Sequence, residues 1–119
     1  MAKLDIEAIV AKRLMGATGI KAFLTVPDNA PTEFMVVTLT GMSGTRFNRF
    51  CSVELTVWGK DEHDRKRAYE LARLLMEKVP NLDEEQNIFN PEATNCYRSY
   101  DQDTGRACYT VQLELSICE

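Results

Sequence analysis

Few side chains in this sequence could support acid–base or nucleophilic chemistry. A catalytic nucleophile needs a base within hydrogen-bonding reach and a third group that orients that base. The only imidazole belongs to His63. Its neighbours are Asp61, Glu62 and Asp64, which are typical of an exposed helix start, whereas a general base must face a cleft. We therefore interpret His63 as a surface residue and expect the protein not to be an enzyme.

Metal-binding patterns are also weak. Structural zinc needs about four Cys or His ligands in close pairs. No C-x-x-C spacing relates the cysteines, which are Cys51, Cys96, Cys108 and Cys118. Asp101 and Asp103 match the start of a calcium loop, but the closing bidentate Glu is missing, and turn formation explains both residues. We expect reduced thiols, a turn over residues 101–105, and no metal or other cofactor.

Residues 41–48 form a glycine-containing segment with basic and aromatic side chains at its end. The segment lacks the lysine of a P-loop and precedes a strand rather than a helix, so it does not fit phosphate binding. The basic and aromatic residues are Arg46, Phe47, Arg49 and Phe50. They suit a mobile loop that orders against a partner subunit, and we take them as candidate subunit-interface residues. The alternative is a small nucleic-acid-binding α+β module that uses the same segment.

These side chains must be positioned by a helix and three strands in the first half of the chain. Apolar residues at helical spacing predict a short helix over residues 4–15, with Asp5 as its N-cap and Gly16 as its stop. Turn residues separate the predicted strands, which cover residues 20–26, 34–40 and 51–58. The second of these strands is largely apolar and is expected to be buried on both faces.

A longer helix follows over residues 61–79. Its apolar stripe consists of Ala68, Leu71, Ala72, Leu75 and Val79. Pro80 stops the helix, and residues 81–93 are polar and broken by Pro91, which predicts a loop.

The chain closes with a predicted β-hairpin that has strands over residues 95–100 and from 106 onward. On the return strand Tyr109, Val111, Leu113, Leu115 and Ile117 alternate with polar residues. Five turn residues place Tyr100 opposite Arg106 if the strands pair simply. That register points Tyr97 and Tyr109 toward the core, beneath the long helix. It points Cys96, Arg98, Tyr100 and Cys108 outward, toward a neighbour or solvent.

Length and composition fit one folded domain over residues 1–119. The chain is 45% hydrophobic, and 14 Lys and Arg against 18 Asp and Glu give a net charge of −4. This charge provides no overall attraction to nucleic acid or to an anionic membrane, and no apolar run approaches ~18 residues. The expected fold is α+β, with a mainly antiparallel sheet and one long and one short helix packed on one face.

This layout resembles the tail terminator, or tail completion, proteins of long-tailed bacteriophages and prophages, over nearly the full chain. The resemblance lies in the N-terminal helix, the strand that ends at Gly59, the helix around Tyr69 and the terminal hairpin. These features are patterns rather than invariant motifs. Neck and other head-to-tail joining proteins have similar shapes, so the position within the connector stays open.

The resemblance implies a structural role. Proteins of this family assemble as rings, commonly hexamers, that terminate the tail tube and join it to the head connector. The implied partners are other copies of the chain, a tail tube protein and a head connector or neck protein, with DNA only passing through the ring lumen. The implied location is the virion tail, and the host cytoplasm during assembly. By analogy, the segment from residue 41 to Phe50 would be ordered at the ring interface.

Overall fold

The architecture is seen in a computed structural model that describes residues 5–29, 31–45, 48–59, 65–100 and 106–118, without the side chain of Tyr100. Its elements are α1 Ile6–Thr18, β1 Lys21–Phe23, β2 Phe34–Gly44, β3 Asn48–Trp58, α2 Arg65–Lys78, a 3₁₀-helix Val79–Glu84, β4 Ile88–Tyr100 and β5 Ala107–Cys118. The predicted order of a helix, three strands, a helix and a terminal hairpin is confirmed.

The strands form a single five-stranded sheet in the order β1-β2-β3-β5-β4. β1 runs parallel to β2, and every other neighbouring pair is antiparallel. Both helices pack into one core on the same side of this sheet, which we call the helix face; the other side is the open face. The α+β class is confirmed. The helices have similar lengths in the described residues, 13 and 14, and the predicted start of the second helix at Asp61 lies outside those residues.

The core fills the space between the helices and the sheet. The predicted stripe of α2 is buried throughout, with Val79 contributed by the 3₁₀-helix. α1 adds Ile6, Val10 and Leu14, and β5 adds Val111, Leu113, Leu115 and Ile117. Each fully buried Leu or Ile stabilises the fold by roughly 1.5–3 kcal/mol relative to exposure. The predicted packing of the return strand beneath the second helix is confirmed.

α1 has the predicted start but a different end. The Asp5 carboxylate accepts a hydrogen bond from the Ala8 backbone N–H at 3.2 Å, which confirms the N-cap. The predicted stop at Gly16 is wrong, because the helix continues to Thr18. Gly19 ends it with a φ of 77°, a left-handed conformation that glycine adopts without strain.

Three predicted boundaries need correction. β1 is shorter than the predicted strand over residues 20–26. In β2, residues 34–37 are buried as predicted, but Thr38 and Thr40 are exposed. The predicted loop over residues 81–93 is wrong, because the 3₁₀-helix fills its first part and β4 begins at Ile88. β4 accepts Pro91 because it is an edge strand and is bulged near Asn90 and again near residue 94.

The predicted hairpin register is wrong by one residue. Tyr100 pairs with Ala107 rather than Arg106, so Tyr97 lies opposite Thr110 and Cys96 lies opposite Val111. Directly paired residues share a face, which puts Tyr97 on the open face and Cys96 and Arg98 on the helix face, opposite to the prediction. Tyr109 faces the helices and Cys108 faces away from them, as predicted. The predicted turn over residues 101–105 lies outside the described residues.

Candidate functional site

The predicted interface residues belong to the β2–β3 hairpin. Arg46 and Phe47 lie outside the described residues, and Arg49 and Phe50 are in β3. The predicted loop over residues 41–48 is wrong at its start, because residues 41–44 continue β2 and pair with residues 49–52 of β3. Glycine and serine favour a loop, yet they extend a strand here because β3 supplies a paired partner.

The hairpin narrows between Gly44 and Asn48. Gly44 has a φ of 110°, and a Cβ atom there would lie 2.4 Å from the backbone carbonyl oxygen of Asn48. The Thr45 N–H donates to that same carbonyl at 2.8 Å, and the Asn48 N–H donates to the Thr45 hydroxyl at 3.2 Å. Only glycine fits at this position, because the two strands of the hairpin approach each other so closely. The hydrogen bonds therefore hold the base of the turn in place.

Arg49 and Phe50 point to opposite faces of the sheet. Phe50 pairs with Ser43 and Ser116 and lies on the open face, where it is 60% exposed. Arg49 pairs with Ile117, which lies on the helix face, and the Arg49 guanidinium approaches the Met42 sulfur at 3.9 Å. The two residues therefore cannot form one continuous contact surface.

One end of the open face is a buried aromatic cluster. Its members are Phe34, Val36, Trp58 and Cys108, with Phe23 packed against them. The rings of Phe34 and Trp58 stack with centroids 4.6 Å apart and planes within 4°. The Arg106 guanidinium lies over the Phe34 ring at 5.2 Å and donates to the carbonyl oxygens of Gly59, Thr32 and Pro31. This end of the face is closed by the protein's own side chains.

The opposite end of the open face presents exposed aromatic rings. Phe50 of β3 and Phe89 of β4 both pair with Ser116 of the strand between them. Phe89 is 48% exposed. Two strand spacings of about 4.8 Å therefore separate the two backbones. Beside Phe50 the face has an open groove of about 660 Å³, whose lining includes Phe50, Ser43, Ser52, Glu92, Glu114 and Ser116.

Three glutamates lie on the same face beyond the rings. Glu54 accepts hydrogen bonds from the Gln112 amide at 3.4 Å and the Tyr97 hydroxyl at 3.5 Å. Glu92 and Glu114 are both exposed and pair directly across β4 and β5. Like charges in that position repel. The middle of the open face is therefore negative.

The helix face carries a second group of polar and aromatic side chains. Tyr69 of α2 packs edge-on against Tyr109 at 5.7 Å and accepts a hydrogen bond from Arg73 at 2.9 Å. This hydrogen bond raises the pKa of Arg73. Burial raises the pKa of the nearby Cys96 thiol, and the charge of Arg73 offsets only part of that effect. Cys96 is therefore protonated near neutral pH, which opposes nucleophilic chemistry at this sulfur.

The two tyrosines predicted to share the inner face of the hairpin do not lie together. Tyr97 and Tyr109 lie on opposite faces of the sheet, and His63 lies outside the described residues. All four cysteines are free thiols. In the described ranges, no three His, Cys, Asp or Glu side chains gather closely enough to hold a metal ion. Neither described helix is long and apolar enough to cross a membrane.

No known family profile matches this sequence, and no curated protein matches it either.

Proposed function

We propose that this protein is a structural component of a bacteriophage or prophage tail. It assembles as a ring at the end of the tail tube, terminates the tail and joins it to the head connector. The proposal rests on the sequence resemblance and is supported by the open sheet face, where Phe50 and Phe89 expose their rings side by side. Exposed aromatic rings on a sheet surface are typical of protein contacts.

The exposed rings favour association with protein. A fully buried Phe side chain is worth roughly 1.5–3 kcal/mol, and each of these rings has about half of its surface still available for burial. Covering both rings would therefore contribute about 1.5–3 kcal/mol to an association. This is an appreciable part of a subunit contact.

Nucleic-acid binding has less support from the described geometry. Arg49 and Phe50 point to opposite faces, so they do not combine into a stacking platform with adjacent positive charge. The face that displays Phe50 also carries Glu54, Glu92 and Glu114, which repel phosphate. These observations favour the structural role.

Electron microscopy tests the proposed role. The purified protein is mixed with tail tubes of the phage or prophage that carries the gene, and the tube ends are imaged in negative stain. We expect rings at tube ends, in which the subunits can be counted. Tubes that stay bare at every mixing ratio would contradict the proposal.

A matched pair of variants tests the open face. The double variant Phe50→Ser with Phe89→Ser should need at least about tenfold more protein to cap half of the tubes, given the burial energy of the rings. The control Met15→Ser removes a 40% exposed apolar residue from α1 and should cap normally. Circular dichroism checks that both variants are folded. Normal capping by the double variant would exclude the rings as the contact.

A further inference from the structure

We propose that the groove beside Phe50 binds a Lys or Arg side chain of a partner protein. The inference rests on the proposed function in treating the open face as a contact surface, and it adds the chemistry of the contact. The groove is defined by its lining residues Phe50, Ser43, Ser52, Glu92, Glu114 and Ser116. Phe89, which also pairs with Ser116, lies next to it on the outer strand.

The groove has the shape for a long, narrow side chain. Small residues form its floor, because Ser43, Ser52 and Ser116 lie on the open face of three adjacent strands. The two phenylalanines rise on either side of Ser116. An aliphatic stem fits against aromatic rings, and lysine and arginine bury their stems in this way while the charged group stays at the end.

Its charge fits a cation. Glu114 lies two residues from Ser116 along β5 and pairs with Glu92, so the backbones of both glutamates lie about 7 Å along the strands from the row that holds the rings. A stem along the rings would bring its charged end to Glu92 and Glu114. Both a carboxylate and an aromatic face attract a guanidinium or ammonium group.

Glu92 and Glu114 also differ from the third glutamate in their partners. The Glu54 carboxylate is held by Gln112 and Tyr97, whereas no described side chain gives the carboxylate of Glu92 or Glu114 a hydrogen bond or an ion pair. Their direct pairing across two strands weakens the sheet. A bound cation would satisfy both carboxylates and remove this repulsion. The negative charge of the groove therefore favours a partner with a basic side chain.

A peptide titration followed by amide NMR shifts tests the inference without tail tubes. The probe is the blocked peptide acetyl-Leu-Arg-Leu-Arg-amide, and its control replaces both arginines by glutamate. We expect the arginine peptide to shift the amides of Ser52, Ser116, Glu92 and Glu114, more weakly as salt increases. The glutamate peptide should leave them unchanged. Absence of shifts with the arginine peptide, or shifts confined to the helix face, would overturn the inference.

Charge variants make the test specific. Glu92→Gln with Glu114→Gln should weaken peptide binding at least about tenfold, as expected for loss of one charge-assisted hydrogen bond. The same variant should raise the urea midpoint of the free protein, because the repulsion is gone. The control Glu70→Gln with Glu77→Gln removes equal charge from exposed positions of α2 and should bind normally. Equal binding by both variants would overturn the inference.

Two further results separate this inference from the proposed function. If the protein caps tubes but does not bind the peptide, the inference of a basic partner is wrong and the proposed tail function is supported. If the protein binds the peptide but leaves tubes bare, the inference about the groove is supported and the proposed tail function is contradicted. If Glu92→Gln with Glu114→Gln instead abolishes self-association of the protein and the peptide does not bind, the occupant is a second copy and the inference is wrong.

Discussion

Arg106 should stabilise the fold by closing the aromatic end of the open face. Its guanidinium donates to the Gly59 carbonyl from Nε at 3.2 Å and from Nη2 at 2.5 Å, and to the Thr32 carbonyl at 2.5 Å. Gly59 is buried, so its carbonyl would lose these donors in a place with little access to water. The expected loss on Arg106→Ala is about 1–3 kcal/mol for that carbonyl. Loss of the cation–π contact with Phe34 adds about 0.5–1 kcal/mol.

The predicted change in unfolding free energy is therefore about 1.5–4 kcal/mol, summed from the two contributions. Urea unfolding followed by tryptophan fluorescence measures it directly, since Trp58 is the only tryptophan and stacks on Phe34. Arg106→Lys keeps the charge but loses the planar fork, so it should lie between the parent and Arg106→Ala. The folded Arg106→Ala variant should also show red-shifted emission as water reaches Trp58.

The control for this experiment is Arg65→Ala. Arg65 is exposed at the first described turn of α2, and its loss should change the unfolding free energy by less than about 0.5 kcal/mol. If Arg106→Ala and Arg65→Ala unfold at the same urea concentration, the argument that Arg106 holds this end of the sheet is wrong.

Three further changes test other parts of the structure. Gly44→Ala should destabilise the protein by more than about 1 kcal/mol in urea unfolding, because the added Cβ would lie 2.4 Å from a backbone oxygen; Gly41→Ala, with no atom nearer than 4.0 Å, is its control. Glu7→Ala should speed amide exchange at Leu39, whose N–H donates to the Glu7 carboxylate at 2.7 Å, and unchanged exchange would contradict the contact. Because burial raises the pKa of Cys96, the thiol stays protonated to a higher pH in the folded state than in the unfolded state. The free energy of unfolding should therefore fall as the pH rises above the ordinary pKa of a thiol. Alkylation of a variant retaining only Cys96 should accordingly have a higher pH midpoint when folded than in urea; equal midpoints would refute this.

The buried faces of the main elements were predictable because burial follows local periodicity. The α2 stripe around Leu71 and Leu75 has a period near 3.6, and the alternation around Leu113 has a period of two. Either pattern identifies its inner face without knowledge of any partner. The class of fold follows from the order of these patterns.

Register and edge structure were not predictable in the same way. A one-residue change in the β4–β5 connection turns Tyr97 and Cys96 to the other face, and an amphipathic tyrosine suits either side. Pro91 was interpreted as a loop residue because proline cannot donate to a neighbouring strand, yet an outer strand has an edge without a neighbour.

The sequence predicts only part of the candidate site, because the site depends on strand register and on the edge strand β4. Phe50 was identified, whereas Phe89 and Glu92 lay in a segment predicted to be a loop. The alternation that places Arg49 and Phe50 on opposite faces is evident only once residues 48–50 are known to be strand. Glu114 belonged to the polar side of a correctly predicted strand, but its pairing with Glu92 depends on register.

The interrupted edge of β4 has a consequence for the protein at high concentration. A long outer strand usually offers a row of free backbone groups onto which another chain can add, and repeated addition leads to fibres. Here Pro91 removes a donor, the bulges near Asn90 and residue 94 break the spacing, and the Asn95 side chain accepts the Cys96 N–H at 2.9 Å. The β4 edge is therefore poorly suited to strand-by-strand addition of further copies, while contacts through the faces of the sheet stay available.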